Sequence, residues 1–253
     1  MIHIISDINI DYQDFAEDQN LISQDCGYII VTGNIAMDMK RTMIYIEQLA
    51  SIYPNTKIIF NFGLFDVMGV PYEGIRSLLD AKVNDFSKFN KNIYFPLKNT
   101  VLGNYDFLCT FGWPYISDEI EFKQSNLLNN TMISWDAEFY IDGIFISNKF
   151  RRDFTLDFVN NQAADEEARI KQWLTTDLGK QKILVTGQGP DSENILKTTK
   201  FEMFPNLDLK NVVWITGGSS DYIGPYKNCR LIRLPGRDRS RFLEDSELEF
   251  SIE

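Results

Sequence analysis

"WITGGSSDYIG", residues 214–224, begins as a strand and breaks abruptly into a loop of small residues. Trp214, Ile215 and Thr216 suit a pleated, buried element, whereas Gly217, Gly218, Ser219 and Ser220 do not continue it. Such a loop can cradle a phosphate on its backbone N–H groups, serve as a plain turn, or mark a place where larger working side chains are absent. The same pattern recurs along the chain. "IHIIS" (2–6) runs into "DIN", "GYIIV" (27–31) into "TGNIA", "KIIFNF" (57–62) into "GLFD", and "KILV" (182–185) into "TGQGP". Continuous apolar runs of about 4–6 residues that end in Gly, Asp or Asn predict buried strands with loops at their C-terminal ends.

Helical patterns lie between these runs. Residues 38–52 place Met39, Met43, Ile46 and Leu49 at three- and four-residue spacing, with Asp38 as candidate N-cap. Residues 73–89 repeat the pattern with Ile75, Leu78, Leu79 and Val83. A third helix is predicted through "DEEARIKQWLTTDL" (165–178), with Ile170, Trp173 and Leu174 on one side. The alternation predicts α/β units. "NTVLGNYDFLCTFGW" (99–113) and "EFYIDGIFIS" (138–147) instead read as consecutive strands, the second a hairpin around Asp142-Gly143, giving antiparallel pairs inside a mixed sheet.

The chain has 253 residues, 44% of them hydrophobic, with 19 Phe and 11 Tyr, which fits a packed globular protein. No linker or repeat divides it, so residues 1–253 are expected to form a single domain with an acidic tail over 242–253 that ends in a short strand. The net charge is 25 − 36 = −11, which argues against binding duplex nucleic acid across a whole face. Cys26, Cys109 and Cys229 are far apart and odd in number, which fits a reducing compartment. The first residues show no basic stretch or cleavage site, and no apolar run approaches membrane-spanning length. A cytoplasmic protein without a membrane partner is expected. The Asn-, Ile- and Phe-rich composition suits an AT-rich bacterial or phage genome. The one histidine, His3, is expected to be a strand residue near a sheet edge.

In open α/β sheets, working loops gather at the C-terminal ends of strands. Here those loops supply "SDIN", "GNIA", "GLFD", "TGQGP" and "GGSS". Their order and spacing resemble the calcineurin-like metallophosphoesterase superfamily, which carries D-x-H, G-D-x, G-N-H-D, a lone or paired H, and G-H-x-H after successive strands. "VTGQGP" is similar to V-T-H-H-x-P, and "WITGGSSDYIG" followed by "CRLIRLPG" is similar to the W-x-H-G-H-x-H segment and its next strand. "TFGWP" and "RIKQWL" also have counterparts there. The likeness runs from residue 2 to about 236 and implies a four-layer α/β/β/α sandwich of two mixed sheets.

The resemblance also implies two divalent metals about 3.5–4 Å apart that clamp a phosphoester for in-line hydrolysis. The ligand positions depart from that pattern. Asp7 is kept, but Asn9 stands for the first histidine and Asn34 for the bridging aspartate. Leu64 stands for the asparagine ligand, Phe65 for the histidine that protonates the leaving group, and Asp66 keeps a loop-supporting role. Gly187 and Gln188 stand for the paired histidines, and Thr216, Gly218 and Ser220 for the last three. A neutral amide bridges two cations poorly, because it carries no charge to offset their repulsion. These losses lead to the expectation of a catalytically inactive protein, not an enzyme, that holds no cofactor and works by binding another protein. Superfamily members without their ligands serve as scaffold subunits in retromer and in replicative DNA polymerases.

Three alternatives stand beside that expectation. The vacated cleft, with Asn9, Asn34, Gln188, Ser219 and Ser220, suits a nucleotide or phosphate held by hydrogen bonds. Residual metal-dependent phosphoesterase activity is the second. A weakly held single divalent cation near Asp7, drawing on Asp11, Asp14 and Asp66, is the third, although Asp11 and Asp14 equally suit the start of a helix. The G-x-G of "TGQGP" lacks the lysine of a P-loop. "RLIRLPGRDRSR" gathers Arg230, Arg233, Arg237, Arg239 and Arg241 in an acidic chain, a candidate anion or partner surface; Arg151-Arg152 is a lesser one. "FGWPYI" (111–116) and "KFEMFPNL" (200–207) read as core lids or, if exposed, as interface.

Overall fold

The computed structural model describes residues 1–6, 8, 22, 26–36, 39–63, 66, 92–116, 136–141, 144–149, 156–190, 203–218, 221–235 and 240–243. The apolar runs become strands as predicted. β1 (Ile2–Ile5), β2 (Tyr28–Val31), β3 (Lys57–Phe60) and β4 (Ile93–Tyr94) lie parallel, and β13 (Ser240–Leu243) closes this first sheet antiparallel to β1. The second sheet has the order β11-β12-β10-β9-β6-β5. Its parallel core is β6 (Tyr105–Thr110), β9 (Gln181–Thr186), β10 (Val212–Gly218) and β12 (Cys229–Pro235). Its antiparallel edges are β5 (Thr100–Leu102) and β11 (Tyr222–Tyr226). Both sheets are therefore mixed.

The two sheets share one core. Ile4, Ile30 and Phe60 of the first pack in one cluster with Phe107, Ile183, Ile215 and Ile232 of the second. Helix α1 (Met39–Ile52) covers the first sheet with Met39, Met43, Ile46 and Leu49, and stops one residue before Tyr53-Pro54, where proline disfavours a helical predecessor. Helix α2 (Leu156–Thr175) covers the second sheet. Its Ile170 and Trp173 pack with Leu108, Leu184, Trp214 and Leu231. The result is the α/β/β/α sandwich.

Three expectations need correction. The helix read over 165–178 begins at Leu156, because its apolar face continues through Val159 and Ala163 despite the polar Asn160-Asn161-Gln162. The Asp142-Gly143 hairpin forms, with β7 (Asp136–Ile141) and β8 (Ile144–Lys149) in register, but it is a separate two-stranded sheet rather than part of a larger one. At the start of the tail Phe242 and Leu243 pair with His3 and Ile2, while the strand expected at its end lies outside the described residues. Finally, β1 is not at an edge: it runs between β13 and β2, and His3 is fully buried. The second helix read at 73–89 and the Asp38 cap lie outside the described residues. Among the described residues no helix is long and apolar enough to cross a membrane.

Burial holds the His3 imidazole neutral, pushing its pKa from 6.5 down to about 4. The unfolded chain therefore takes up a proton at this side chain before the folded chain does. Its contribution is complete above pH 6.5 and is lost as the pH falls towards 4, by about 3 kcal/mol in all. Urea midpoints at pH 7 and pH 5 should differ more for the wild type than for His3→Leu. Equal pH differences in the two proteins would refute this assignment. Asp66 and Glu166, whose carboxyls burial pushes up, titrate in both proteins and drop out of the comparison.

Candidate functional site

The C-terminal ends of the parallel strands of both sheets meet at one rim. Asn61, just past β3, donates its side-chain amide to the Thr110 carbonyl at the end of β6, 2.7 Å away. Gly187, just past β9, lies so close to the end of β3 that a Cβ there would stand 2.9 Å from both Gly63 Cα and the Phe62 carbonyl oxygen. Only glycine allows that approach. Asn34, past β2, has φ 55° and packs its side chain onto Gly63. Asn tolerates this left-handed conformation better than most residues.

One carboxylate fixes this arrangement. Asp66, fully buried, accepts from the backbone N–H of Asn34 (2.6 Å) and Gly63 (2.8 Å) on Oδ2. Its Oδ1 accepts from the N–H of Ile35 (2.7 Å) and Ala36 (3.1 Å) and from Thr42 Oγ1 (2.7 Å). It thus joins the loops after β2 and β3 to the first turn of α1, where a negative charge also suits the helix dipole. Burial pushes this carboxyl above its ordinary range, while the hydrogen bonds from Thr42, Gly63, Ala36 and Ile35 pull the other way.

The second sheet carries a matching clamp. Glu166 of α2, almost fully buried, accepts from the consecutive N–H groups of Phe111 (2.9 Å), Gly112 (3.0 Å) and Trp113 (2.9 Å). Burial raises its carboxyl too, against the pull of Thr110, Arg169 and the loop amides. Arg169 stands 3.8 Å from Glu166 and donates to Thr110 Oγ1 and to the Leu97 carbonyl. This clamp holds the "FGWPYI" loop in the core: Phe111, Trp113 and Ile116 are buried and only Tyr115 is exposed. Met203 and Phe204 of the other aromatic segment are buried as well.

Gln188 follows directly. Its carbonyl accepts from Thr186 Oγ1 at 2.6 Å, and the same hydroxyl accepts from Trp214 Nε1 at 2.8 Å. The residue is 7% exposed, yet its side-chain Oε1 has no hydrogen-bond partner among the described residues. A buried amide oxygen left unmet costs about 1–3 kcal/mol, so it is a place where a ligand donor gains more than it would at the surface.

Among the described residues, the donors at this rim do not fit a dinuclear metal centre. Both oxygens of Asp66 are taken by protein donors. Thr186 and Thr216 turn their hydroxyls to backbone carbonyls. Asn34 and Gln188 are neutral, and Gly187 has no side chain. Two divalent ions need anionic bridges that this set lacks. Asp7, Asn9, Leu64, Phe65, Ser219 and Ser220 lie outside the described residues, as do Asp11, Asp14 and Arg151-Arg152, and Gly218 is described only as the end of β10.

Among the described arginines, Arg230 and Arg233 do not share one face. Arg230 and Arg233, three residues apart on β12, project to opposite faces of the second sheet, because strand side chains alternate. Arg241 belongs to β13 in the other sheet. Arg237 and Arg239 are outside the described residues.

No protein-family profile and no curated protein matches the sequence. Among solved structures, the chain is similar to the phosphopantetheinyl hydrolase of Mycobacterium tuberculosis, with a TM-score of 0.60 and 12% identity over 93% of this chain and 89% of that one. At this identity the likeness speaks to the fold. It also corrects the expectation of a protein that is not an enzyme: a solved structure that shares this fold along nearly its whole length is a hydrolase. Substituted metal positions, read against one family's ligand pattern, gave too narrow a ground for ruling out catalysis.

Proposed function

We propose that this metallophosphoesterase-like chain binds a phosphate ester at the rim where the loops after β2, β3 and β9 meet beside the end of β10. The observation that carries the reading is the buried Oε1 of Gln188, which has no partner among the described residues and follows directly on the Gly187 contact between the two sheets. The likeness to a phosphopantetheinyl hydrolase supports a phosphate ester as the ligand class. The free, buried Cys26, Cys109 and Cys229 support a cytoplasmic setting.

Thermal shifts with inorganic phosphate, nucleoside monophosphates and phosphopantetheine test the proposal, with phosphate release assayed in the same samples. A true ligand at a hundred times its Kd stabilises by about 2.7 kcal/mol. Gln188→Leu should reduce the shift for the esters. If no probe shifts the wild type at millimolar concentration, the reading falls, and a protein partner sought by affinity purification takes its place.

A further inference from the structure

A polar row crosses the second sheet at this rim. In register it runs Thr110, Thr186, Thr216, Arg233, Tyr222 over β6, β9, β10, β12 and β11. Leu108, Leu184, Trp214 and Leu231, each two residues earlier in its strand, belong to the cluster that packs with α2. The row therefore lies on the α2 side of the sheet. Arg233 is only 8% exposed, so it holds a charge inside the rim. Its guanidinium carbon is 5.8 Å from the centre of the Tyr222 ring, and the Tyr222 hydroxyl donates to the Pro225 carbonyl at 2.7 Å, which fixes the ring.

Gly189 ties this row to Gln188. A Cβ at Gly189 would stand 3.2 Å from Thr216 Cγ2 and 3.4 Å from Arg233 Cδ. Gln188 thus precedes, in the chain, the residue against which the arginine stem rests.

We infer that Arg233 is the anion-recognising residue of this site and that Gln188 Oε1 takes a hydrogen bond from the organic half of the same ligand. This rests on the phosphate-ester reading and narrows it. A guanidinium is matched to phosphate oxygens. An amide oxygen requires a donor, which the fully ionised phosphate group of a monoester does not have. The ligand is a phosphate ester with an N–H or O–H near its phosphate, as in AMP or phosphopantetheine, rather than an alkyl phosphate.

Calorimetric titration of the full chain with AMP, phosphopantetheine, methyl phosphate and inorganic phosphate tests this. One of the two donor-bearing esters should bind the wild type about tenfold more tightly than methyl phosphate. Gln188→Leu should bring that ester down to the level of methyl phosphate and leave methyl phosphate unchanged. Arg233→Met should weaken both by about ten- to a hundredfold, and Arg233→Lys by less. Gly189→Ala keeps every charge while crowding Thr216 Cγ2 and the Gly217 carbonyl beside the arginine stem. It should weaken both ligands several-fold, and Arg233→Lys decides the role of Arg233 if Arg233→Met does not fold. Equal binding of methyl phosphate and both esters to the wild type overturns the two-point recognition and leaves the phosphate-ester reading standing. Unchanged binding in Gly189→Ala together with Arg233→Lys overturns the role of Arg233. Absence of binding by all four probes overturns both this inference and the reading beneath it.

Discussion

Replacing Asp66 by alanine is expected to lower the stability of the chain by about 4–6 kcal/mol. Four backbone N–H groups and the Thr42 hydroxyl converge on this one carboxylate. In the alanine variant all five are left in a fully buried pocket without an acceptor. Each orphaned donor costs about 1–3 kcal/mol, and relaxation of the shared loops makes the sum less than additive. A loss of that size approaches the whole stability of a typical domain, about 5–15 kcal/mol. Asp66→Asn should fall between the two, because an amide keeps one acceptor and turns a donor towards either the Asn34 and Gly63 N–H groups or the Ile35, Ala36 and Thr42 set. Urea denaturation of the three proteins reads this order directly. An alanine variant within about 1 kcal/mol of the wild type would show that water replaces the carboxylate and that the clamp is dispensable.

The strands were legible because parallel strands buried on both faces must be continuous apolar runs, and the loops after them must supply turn residues. "GYIIV" and "KIIFNF" therefore announce β2 and β3 within a residue or two. β4 is only Ile93–Tyr94, too short to show any period. β13 reads as part of an acidic tail, because its place beside β1 is set by a pairing across nearly the whole chain. His3 was misplaced for the same reason: a strand's neighbours, unlike its own pattern, are tertiary facts. The hairpin at Asp142-Gly143 was legible from its turn chemistry, but nothing local states which sheet it joins.

The rim was legible as a set of loops, whereas the groups that organise it were not singled out. A signal for Glu166 exists: Val159, Ala163, Glu166, Ile170 and Trp173 form one buried stripe, and a carboxylate in such a stripe needs partners. The threonine row was also open to view, since "YDFLCT", "QKILVT" and "VVWIT" end alike. Reading these loops against one ligand pattern drew attention to missing imidazoles and away from the hydroxyls, amides and arginine in their place. Arg230, Arg233 and Arg241 show the opposite failure. Proximity in sequence suggested one surface, and strand alternation together with a change of sheet separated them.

Lys182→Met is expected to cost about 3–5 kcal/mol, a loss that should extend to the rim. Lys182 Nζ lies 3.0 Å from Asp106 Oδ2, donates to the carbonyls of Trp173 (2.9 Å) and Thr176 (2.8 Å), and sits 4.6 Å from the centre of the Trp173 ring. It pairs two neighbouring strands and caps the C-terminus of α2 at once. Methionine fills the same volume and removes all three donors. Asp106, fully buried, already has an Oδ1 without a partner among the described residues and would lose its cation. The double variant Lys182→Met, Asp106→Leu should recover most of the loss, because removing both charges spares the cost of burying one alone. Recovery of less than about 1 kcal/mol would assign the effect to the helix cap instead of the ion pair. Either way α2 loses the anchor at its C-terminal end, and α2 carries Glu166, which holds Phe111, Gly112 and Trp113 beside the Gln188 loop. Hydrogen exchange at those three amides should therefore quicken in the single variant and stay quicker than in the wild type in the double one, which lacks the same anchor. An anchor at the far end of the sheet thus governs how firmly the candidate site is held.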